Sequence, residues 1–376
     1  MRFYRYIISN TNNTFTEEAM TKRTGAKLDK QSIDNLKAGV KEYNNVISKL
    51  KTIDKVVKTP LRIKRNVYTK MGREEKRILL RDKINKACRI EAFGDFDKLI
   101  ALIHQSYNLY KAPPEIKLNT HQYITDQATA LIGLDPAVAG TLHEYCTFPD
   151  QPKSDMSDLI FEGHFYGKTR AGVPGNFLVN AFPETALEAL EFIKKVRYGI
   201  DEDIHEHAVM NFTRYFNKSL PPASMDLKLF YLGVAAHFLQ DLTAPHHAGN
   251  YPAVPYVDHY FFEKFTNQYV YDEPQYKISR PAYNNFKKKM TANPSQPEPY
   301  ALEINGMAAP FIQYIETDFH RLRAGDELSD ASMDKEIDRL NKCLLSGENK
   351  DWEKAIVGAI PLAVYATAYL FEAALP

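Results

Sequence analysis

A strongly apolar run from Leu229 to Glu263 constrains this chain more than any other part of its sequence. Apolar residues recur at helical intervals in its first half, so His237 and Asp241, four residues apart, lie on one face of a predicted helix. The helix breaks soon afterwards at a Thr-Ala-Pro segment, and His246 and His247 follow that break. An imidazole at this place can point back toward the same helical face.

A second pair, His259 and Glu263, repeats the spacing of four residues. One such pair alone is more typical of an ordinary hydrogen bond. Two pairs with a histidine between them, in so apolar a setting, indicate a bound cation, because buried charge is costly without compensation. Imidazole and carboxylate are ligands of hydrolytic zinc sites, so the run predicts a metal site.

The residues His237, Asp241, His247, His259 and Glu263 resemble the core of the bacterial zinc-dependent phospholipase C family. Single-strand-specific zinc nucleases are relatives of this family. The terminal acid favours the lipase branch, because the nucleases typically have Asp where this chain has Glu263. The resemblance covers about residues 117–375 and implies an all-α, multi-helix catalytic domain, with no strand-rich region and no internal repeat.

The resemblance also implies ligands upstream of the apolar run. His121, in the first turn of a predicted helix, is similar to the family's leading histidine ligand. Asp150 and His164 suit the spacing of a family loop that supplies an Asp and a His. Asp155 and Asp158 are nearby rivals to Asp150. The family also gives the counterpart of Asp150 the role of general base, and sequence alone does not separate base from ligand.

Two to three zinc ions are implied. One zinc would take Asp150, His164, His237 and Asp241, a second would take His247, His259 and Glu263, and a third would share Asp241 and use His121. Clustered zinc ions suit phosphodiester cleavage because they hold phosphoryl oxygens, offset the charge of the transition state and acidify water. The predicted substrate is a phospholipid at a membrane surface, and the products are diacylglycerol and a phosphorylated head group.

The chain departs from the family pattern in two places. Phe161 matches an aromatic residue that lines the choline pocket, but Gln151 stands where a neighbouring tyrosine is expected, so the head-group preference is open. The family binds its third zinc through an N-terminal tryptophan, whereas the only tryptophan here is Trp352. Either a cut between Gln105 and Lys111 frees a new amino terminus, or fewer or different groups hold the third metal.

Two other functions compete with a phospholipase C. One is a zinc nuclease that acts on single-stranded nucleic acid, although no stable nucleic-acid complex is expected. The other is a non-enzymatic adaptor with a structural metal site. Structural zinc sites are closed by four protein ligands, whereas the set of His247, His259 and Glu263 leaves room for water, which favours catalysis.

Charge divides the chain into two predicted modules. Residues 1–120 contain 26 Lys and Arg against 13 Asp and Glu, and the remainder contains 22 against 34. We therefore expect a basic helical module at 1–116, of unknown role, and a catalytic domain at 117–376. The basic faces are typical of a solvated surface or of a dock for the acidic remainder, with anionic lipid or nucleic acid as alternative partners.

Localisation is open. The family resemblance implies secretion, but residues 1–10 lack the apolar stretch of a secretory signal, so cytoplasmic location or non-classical export is the alternative. Three scattered cysteines fit neither a disulfide framework nor a thiolate zinc cluster. The uncharged segment 355–371 is short and contains a proline, so we predict a buried helix and no transmembrane segment.

The remaining segments complete the prediction. Helices are predicted from Ser32 to Val57, from Ile304 to Leu322 and from Lys350 to Ala374, and a Pro- and Lys-rich loop is predicted from Ile278 to Pro299. His205 and His207 fit an exposed helix, and the isolated His104, His143 and His320 fit structural roles.

Overall fold

A computed structural model of the protein describes residues 119–150, 161–168, 174–177, 179, 205–220, 224–252, 256, 258–271, 274–321, 329–346 and 349–375, with seven isolated helical residues between 30 and 48. Most of the predicted basic module lies outside these residues. Its division from the catalytic domain therefore stays a prediction.

The described part of the chain is almost entirely helical, as the predicted all-α class requires. Its α-helices are α1 (Thr120–Ile132), α2 (Pro136–Tyr145), α3 (Ala208–Ser219), α4 (Met225–Asp241), α5 (Pro245–Ala248), α6 (Asp258–Tyr269), α7 (Arg280–Lys289), α8 (Pro297–Ala308), α9 (Asp330–Ser346) and α10 (Lys350–Ala374). Three 3-10 helices lie at Phe148–Asp150, Phe161–His164 and Ala309–Tyr314. The short strands Gly167–Lys168 and Pro174–Gly175 pair antiparallel.

Helix α4 lies at the centre of the fold. The side chain of Ser224 caps its first turn by accepting a hydrogen bond from the backbone N–H of Leu227. Every residue from Leu232 to Asp241 is buried, so the helix is enclosed on all sides, mainly by α3, α2 and α10. At Gly233, an added Cβ would lie 2.7 Å from the Cβ of Tyr145, so glycine permits the close approach of α4 and α2. His237 and Asp241 are thereby held on a helix enclosed by its neighbours.

Helix α10 packs beside α4 and α1, as expected for the buried helix that the sequence predicts here. Asn349 caps it by accepting from the backbone N–H of Trp352, and the helix continues through Pro361. By length and apolar composition α10 is the one described helix that could cross a membrane, and 72% of its most apolar window is buried in the fold.

The predicted loop from Ile278 to Pro299 is wrong. Helix α7 lies inside it, capped by Ser279, with Pro281 in the first turn, where a missing backbone N–H costs no hydrogen bond. Helix α8 also starts at a proline, Pro297, and ends at Ala308, before the predicted end at Leu322. Proline at the start of these two helices was misread as a loop signal.

Candidate metal centre

Asp241 is the carboxylate around which most of the candidate ligands gather. It ends α4 and is 2% exposed. Its Oδ2 lies 2.8 Å from His164 Nδ1 and 3.3 Å from His237 Nε2. Its Oδ1 lies 3.6 Å from His121 Nε2 and 3.6 Å from His247 Nδ1. Four histidines from separate elements of the sequence therefore meet at one buried carboxylate.

Asp150 completes the first predicted ligand group from the solvent side. It ends the 3-10 helix Phe148–Asp150, and its side chain is 38% exposed. Its Oδ1 lies 3.5 Å from His237 Nε2, and its Oδ2 lies 3.9 Å from His121 Nε2. The two carboxylates, Asp150 and Asp241, thus flank His237, one open to water and one buried.

The second predicted group comes from α5 and α6. His259 and Glu263 lie one turn apart on α6, and their Nε2 and Oε1 atoms are 3.0 Å apart. The Nε2 of His247 lies 3.2 Å from the same Oε1. The ring of His247 stacks on Phe165, with centroids 4.6 Å apart and planes at 4°. The side chain of Glu263 is 34% exposed, so this group opens toward solvent.

Backbone carbonyls fix the tautomers of two of these histidines. The Nδ1 of His237 lies 2.8 Å from the carbonyl oxygen of Cys146, and the Nδ1 of His247 lies 3.0 Å from that of His164. A carbonyl oxygen only accepts hydrogen bonds, so each Nδ1 carries a proton. In the neutral ring the Nε2 lone pair is then free for a metal ion.

His121 shows the same arrangement with a side chain in place of the backbone. Its Nδ1 lies 2.7 Å from Oε1 of Gln240, which leaves Nε2 facing Asp150 and Asp241. Its ring stacks on that of His237, with centroids 4.1 Å apart. Burial, together with the neighbouring His237, lowers the pKa of His121, which favours the neutral, ligating form.

Without metal, the centre holds charge as protons on histidine. Burial opposes protonation of His237, but Asp150 and Asp241 raise its pKa to about 9. The pKa of His247 is likewise raised to about 9, because Asp241 and Glu263 outweigh burial. Burial would raise the pKa of Asp241 and of Glu263, but the surrounding imidazoles hold both pKa values below the ordinary range. A divalent cation would take the place of these protons.

The donor set fits zinc. Three groups have ligand atoms within 4.8 Å of one another, and all their donors are imidazole nitrogen or carboxylate oxygen: His121, His237 and Asp241; Asp150, His164 and His237; and His247, His259 and Glu263. The Nε2 of His164 is buried and has no hydrogen-bond partner among the described residues. The structure thus brings all eight predicted ligands together, and their binding of metal stays a prediction.

A fourth group with the same donor types lies beside the second one and was not predicted. It consists of His246, Asp258 and His320. Its first two members directly precede the predicted ligands His247 and His259 in the sequence. No spacing signal points to His320, which lies far along the chain in a turn after α8.

Other predicted residues fall elsewhere. His143 contacts Asp126 at 2.8 Å and belongs to none of the ligand groups. The prediction of an exposed helix at His205 and His207 is wrong, because both precede α3, both are partly buried, and His207 caps that helix. The side chain of Phe161 lies outside what the structure describes, as do the residues His104, Gln151, Asp155 and Asp158.

One protein-family model covers the part of the chain that contains the candidate metal centre. The family model described as zinc dependent phospholipase C matches residues 120–296. Among solved structures, the alpha toxin of Clostridium absonum is 16% identical, with a TM-score of 0.39, and the match covers 69% of this chain and 65% of the toxin. An alpha-toxin of Clostridium perfringens from an avian strain is 18% identical, with a TM-score of 0.37, and the match covers 68% of this chain and 63% of the toxin. The match thus spans less than two thirds of either toxin, and no curated protein sequence matches the chain.

Proposed function

Because residues 120–296 match the zinc-dependent phospholipase C family, as the sequence predicts, we propose that this chain is a zinc metallohydrolase of the phospholipase C type. Its reaction is cleavage of the glycerol-side phosphodiester of a phospholipid, which gives diacylglycerol and a phosphorylated head group. The observation that carries the proposal is the set of imidazoles whose Nδ1 protons are fixed by acceptors, so that their Nε2 atoms converge on Asp241 and Glu263.

The residues present could hold up to three zinc ions: one at Asp150, His164, His237 and Asp241, a second at His247, His259 and Glu263, and a third at His121 and Asp241, whose carboxylate two ions would share. Bound zinc would offset the negative charge of a phosphodiester and make water a better nucleophile near neutral pH. Asp241 contacts members of all three groups and would tie them together. Asp150 is accessible to solvent and is the candidate to accept a proton from attacking water.

The open side of the centre supports catalysis over a purely structural site. Glu263 and Asp150 are each about one-third exposed, whereas His237 and Asp241 are buried. A structural zinc site is closed by protein ligands on all sides. A centre that combines buried ligands with carboxylates exposed to solvent leaves space for a phosphodiester.

Substrate class and metal dependence can be tested together. Full-length protein is stripped with a chelator, reloaded with Zn²⁺ and assayed on phosphatidylcholine and phosphatidylethanolamine vesicles and on single-stranded DNA. We expect zinc-dependent release of diacylglycerol and no cleavage of DNA. Cleavage of DNA without lipid turnover would instead favour the nuclease branch.

A pair of histidine variants provides the matched control. His237→Ala should lose bound zinc and lipid turnover together, because its ring contacts both Asp150 and Asp241. His143→Ala should keep both, because His143 is partly exposed and contacts only Asp126 in its ion pair. A His237→Ala variant that keeps full zinc content and turnover contradicts the assignment.

We also propose that the basic module docks on the catalytic domain and limits completion of the third metal position. Support comes from one contact: Nζ of Lys37 lies 2.6 Å from Oδ1 of Asp334 on α9. Removal of the module by a cut between Gln105 and Lys111 would supply the amino group that the family uses. Mass spectrometry of fully active protein tests this, since an intact Met1 with three bound zinc ions excludes it. We further propose that the protein is secreted and acts on phospholipid at a membrane surface.

A further inference from the structure

The unpredicted group centres on the carboxylate of Asp258, the first residue of α6. Asp258 is 0% exposed, His246 is 1% exposed and His320 is 2% exposed. The Nε2 of His246 lies 3.3 Å from Asp258 Oδ2, and the Nε2 of His320 lies 3.1 Å from Asp258 Oδ1. Two imidazoles and a carboxylate at these distances could be a metal site or a network of polar contacts.

The tautomer of His320 argues against a metal ion. The backbone N–H of Thr317 donates a hydrogen bond to Nδ1 of His320 at 3.2 Å. A backbone N–H only donates, so Nδ1 is the acceptor and the proton of the ring lies on Nε2. The atom that faces Asp258 therefore presents N–H rather than a lone pair. This is the reverse of His237 and His247, whose Nδ1 atoms face carbonyl oxygens.

Arg339 supplies a second argument. Its Nη2 lies 3.2 Å from Asp258 Oδ2, and its Nε donates to Glu336 Oε2 at 3.0 Å. A guanidinium is always protonated, so a cation already lies against this carboxylate. Asp258 thus has two imidazole contacts and one guanidinium contact, although Arg339 is shared with Glu336 and Oδ1 of Asp258 makes no hydrogen bond among the described residues.

The same group is connected to both histidines of the second predicted metal position. Asp258 directly precedes His259, and its partner His246 directly precedes His247. The ring of His246 also stacks on that of His259, with centroids 4.6 Å apart and planes at 13°. One buried carboxylate thus fixes the chain just before each of two candidate ligands.

We propose that Asp258 is a positioning residue that holds His247 and His259 in the geometry required at the second metal position, and that its own group binds no metal. This inference rests on the proposed function, because it presumes that His247, His259 and Glu263 bind zinc. Partners outside the ligand shell orient metal ligands, and their loss weakens metal affinity by roughly 10–100-fold.

The test measures metal binding by full-length protein. Stripped protein is titrated with Zn²⁺ and, separately, with Co²⁺, whose visible absorption reports on the ligand geometry. For Asp258→Asn we expect one metal position to lose about 10–100-fold in affinity, with an altered Co²⁺ spectrum, while the other positions are unchanged. We expect kcat on phosphatidylcholine vesicles to fall and KM to stay constant. Asp318→Asn, at a fully exposed carboxylate near His320, should change none of these.

Two substitutions at His320 separate a positioning contact from a metal ligand. His320→Gln keeps an amide N–H that can face Asp258, and we expect near wild-type zinc affinity and kcat. His320→Leu has no donor and should reproduce the effect of Asp258→Asn. This pair also carries the test if Asp258→Asn does not fold.

Three results would count against the inference, and the third would also count against the proposed function. A fourth zinc per chain that His320→Gln removes would show that the group is a metal site. Unchanged affinity, spectrum and kcat in both Asp258→Asn and His320→Leu would show that Asp258 has only a structural role. If Glu263→Ala binds as many zinc ions as the wild type, with equal affinity, the second metal position itself is wrong and the proposed function is affected too.

Discussion

Two groups of two histidines and one carboxylate lie side by side in this protein, and we propose opposite roles for them. The first, His247, His259 and Glu263, has a carboxylate that is about one-third exposed. The second, His246, Asp258 and His320, is fully buried and is contacted by Arg339. Residue types alone therefore do not define a metal site. Access to solvent, the tautomer that each neighbour enforces and the presence of a competing cation decide between the two roles.

The largest expected effect comes from Asp241, because it contacts histidines of every predicted metal position. Asp241→Asn should abolish lipid turnover and weaken zinc affinity by more than the roughly 10–100-fold that loss of a partner outside the ligand shell costs. The measurement is zinc analysis with vesicle turnover. Asp126→Asn on α1, where the carboxylate contacts only His143 in its ion pair, is the matched control and should retain both. Retention of activity by Asp241→Asn would remove the basis for treating the groups as one centre.

The next prediction separates stability from metal binding. Asp258→Ala leaves the buried imidazoles of His246 and His320 without their carboxylate partner, so the free energy of unfolding of the metal-free protein should fall by about 3–5 kcal/mol. Glu263→Ala should cost less than Asp258→Ala in the same state, because its carboxylate is partly hydrated. Urea unfolding of chelator-treated protein measures both.

Zinc should narrow the difference in stability between the two variants. Wild-type protein gains stability from zinc by mass action, and Glu263→Ala should gain less because it lacks one ligand. Equal stability losses for the two variants in the metal-free state would mean that the two groups do not differ as their burial indicates.

Sequence reasoning identified the candidate metal centre because its strongest signals are local. The two i,i+4 pairs on helices α4 and α6 are visible as spacing, and the structure brings them together with His121, Asp150 and His164. The Asp258 group was missed because His320 comes from a distant turn and Arg339 from α9, which no local pattern connects. The tautomers likewise depend on backbone groups that only the folded chain brings near.

The predicted helices agree with the structure where apolar residues recur at a clear helical period. The prediction is wrong where proline, which occurs both in loops and in the first turn of helices, favours a loop. The ends of the helix Lys350–Ala374 agree with the prediction, because most of this segment is uncharged and apolar. Helix α7 lies in a predicted loop because the segment 278–299 as a whole is rich in lysine and proline. Only Tyr283 and Phe286 are buried in that helix, so its apolar face is too narrow to give a clear helical period.

The adjacent residues His246 and His247 should have smaller and opposite effects on how the stability of the metal-free protein depends on pH. The pKa of His247 is raised to about 9, so its contribution to stability is complete below its ordinary pKa of 6.5 and is lost as pH rises toward 9. Burial lowers the pKa of His246 to about 3, so this neutral ring costs stability as pH falls from 6.5 toward 3, where the unfolded chain is protonated.

Variants should reduce these two slopes separately. His247→Gln should reduce the loss between pH 6.5 and 9, to which His237 also contributes, and His246→Gln should reduce the loss below 6.5, to which His121 also contributes. Urea unfolding as a function of pH measures both. Zinc should also suppress the alkaline loss, because a ligating His247 is neutral throughout, and zinc uptake at pH 7 should release protons. If the free energy of unfolding depended on pH in the same way in both variants, the two histidines would have the same environment.

The smallest expected effect is that of Glu372→Gln. It tests whether a partly exposed carboxylate in an ion pair contributes as much to the free energy of unfolding as the buried Asp258. Glu372 on α10 accepts from Lys287 Nζ at 2.5 Å and from the hydroxyl of Tyr283 at 2.7 Å, but its side chain is 34% exposed. Partial burial would raise its pKa, but Lys287 and Tyr283 lower it, so its contribution is present above its ordinary pKa of 4.5 and is lost as pH falls. Solvent screens such a pair, so Glu372→Gln should cost less than about 1 kcal/mol at pH 7 and nothing at low pH. A loss as large as that of Asp258→Ala would show that burial is not what distinguishes the two groups.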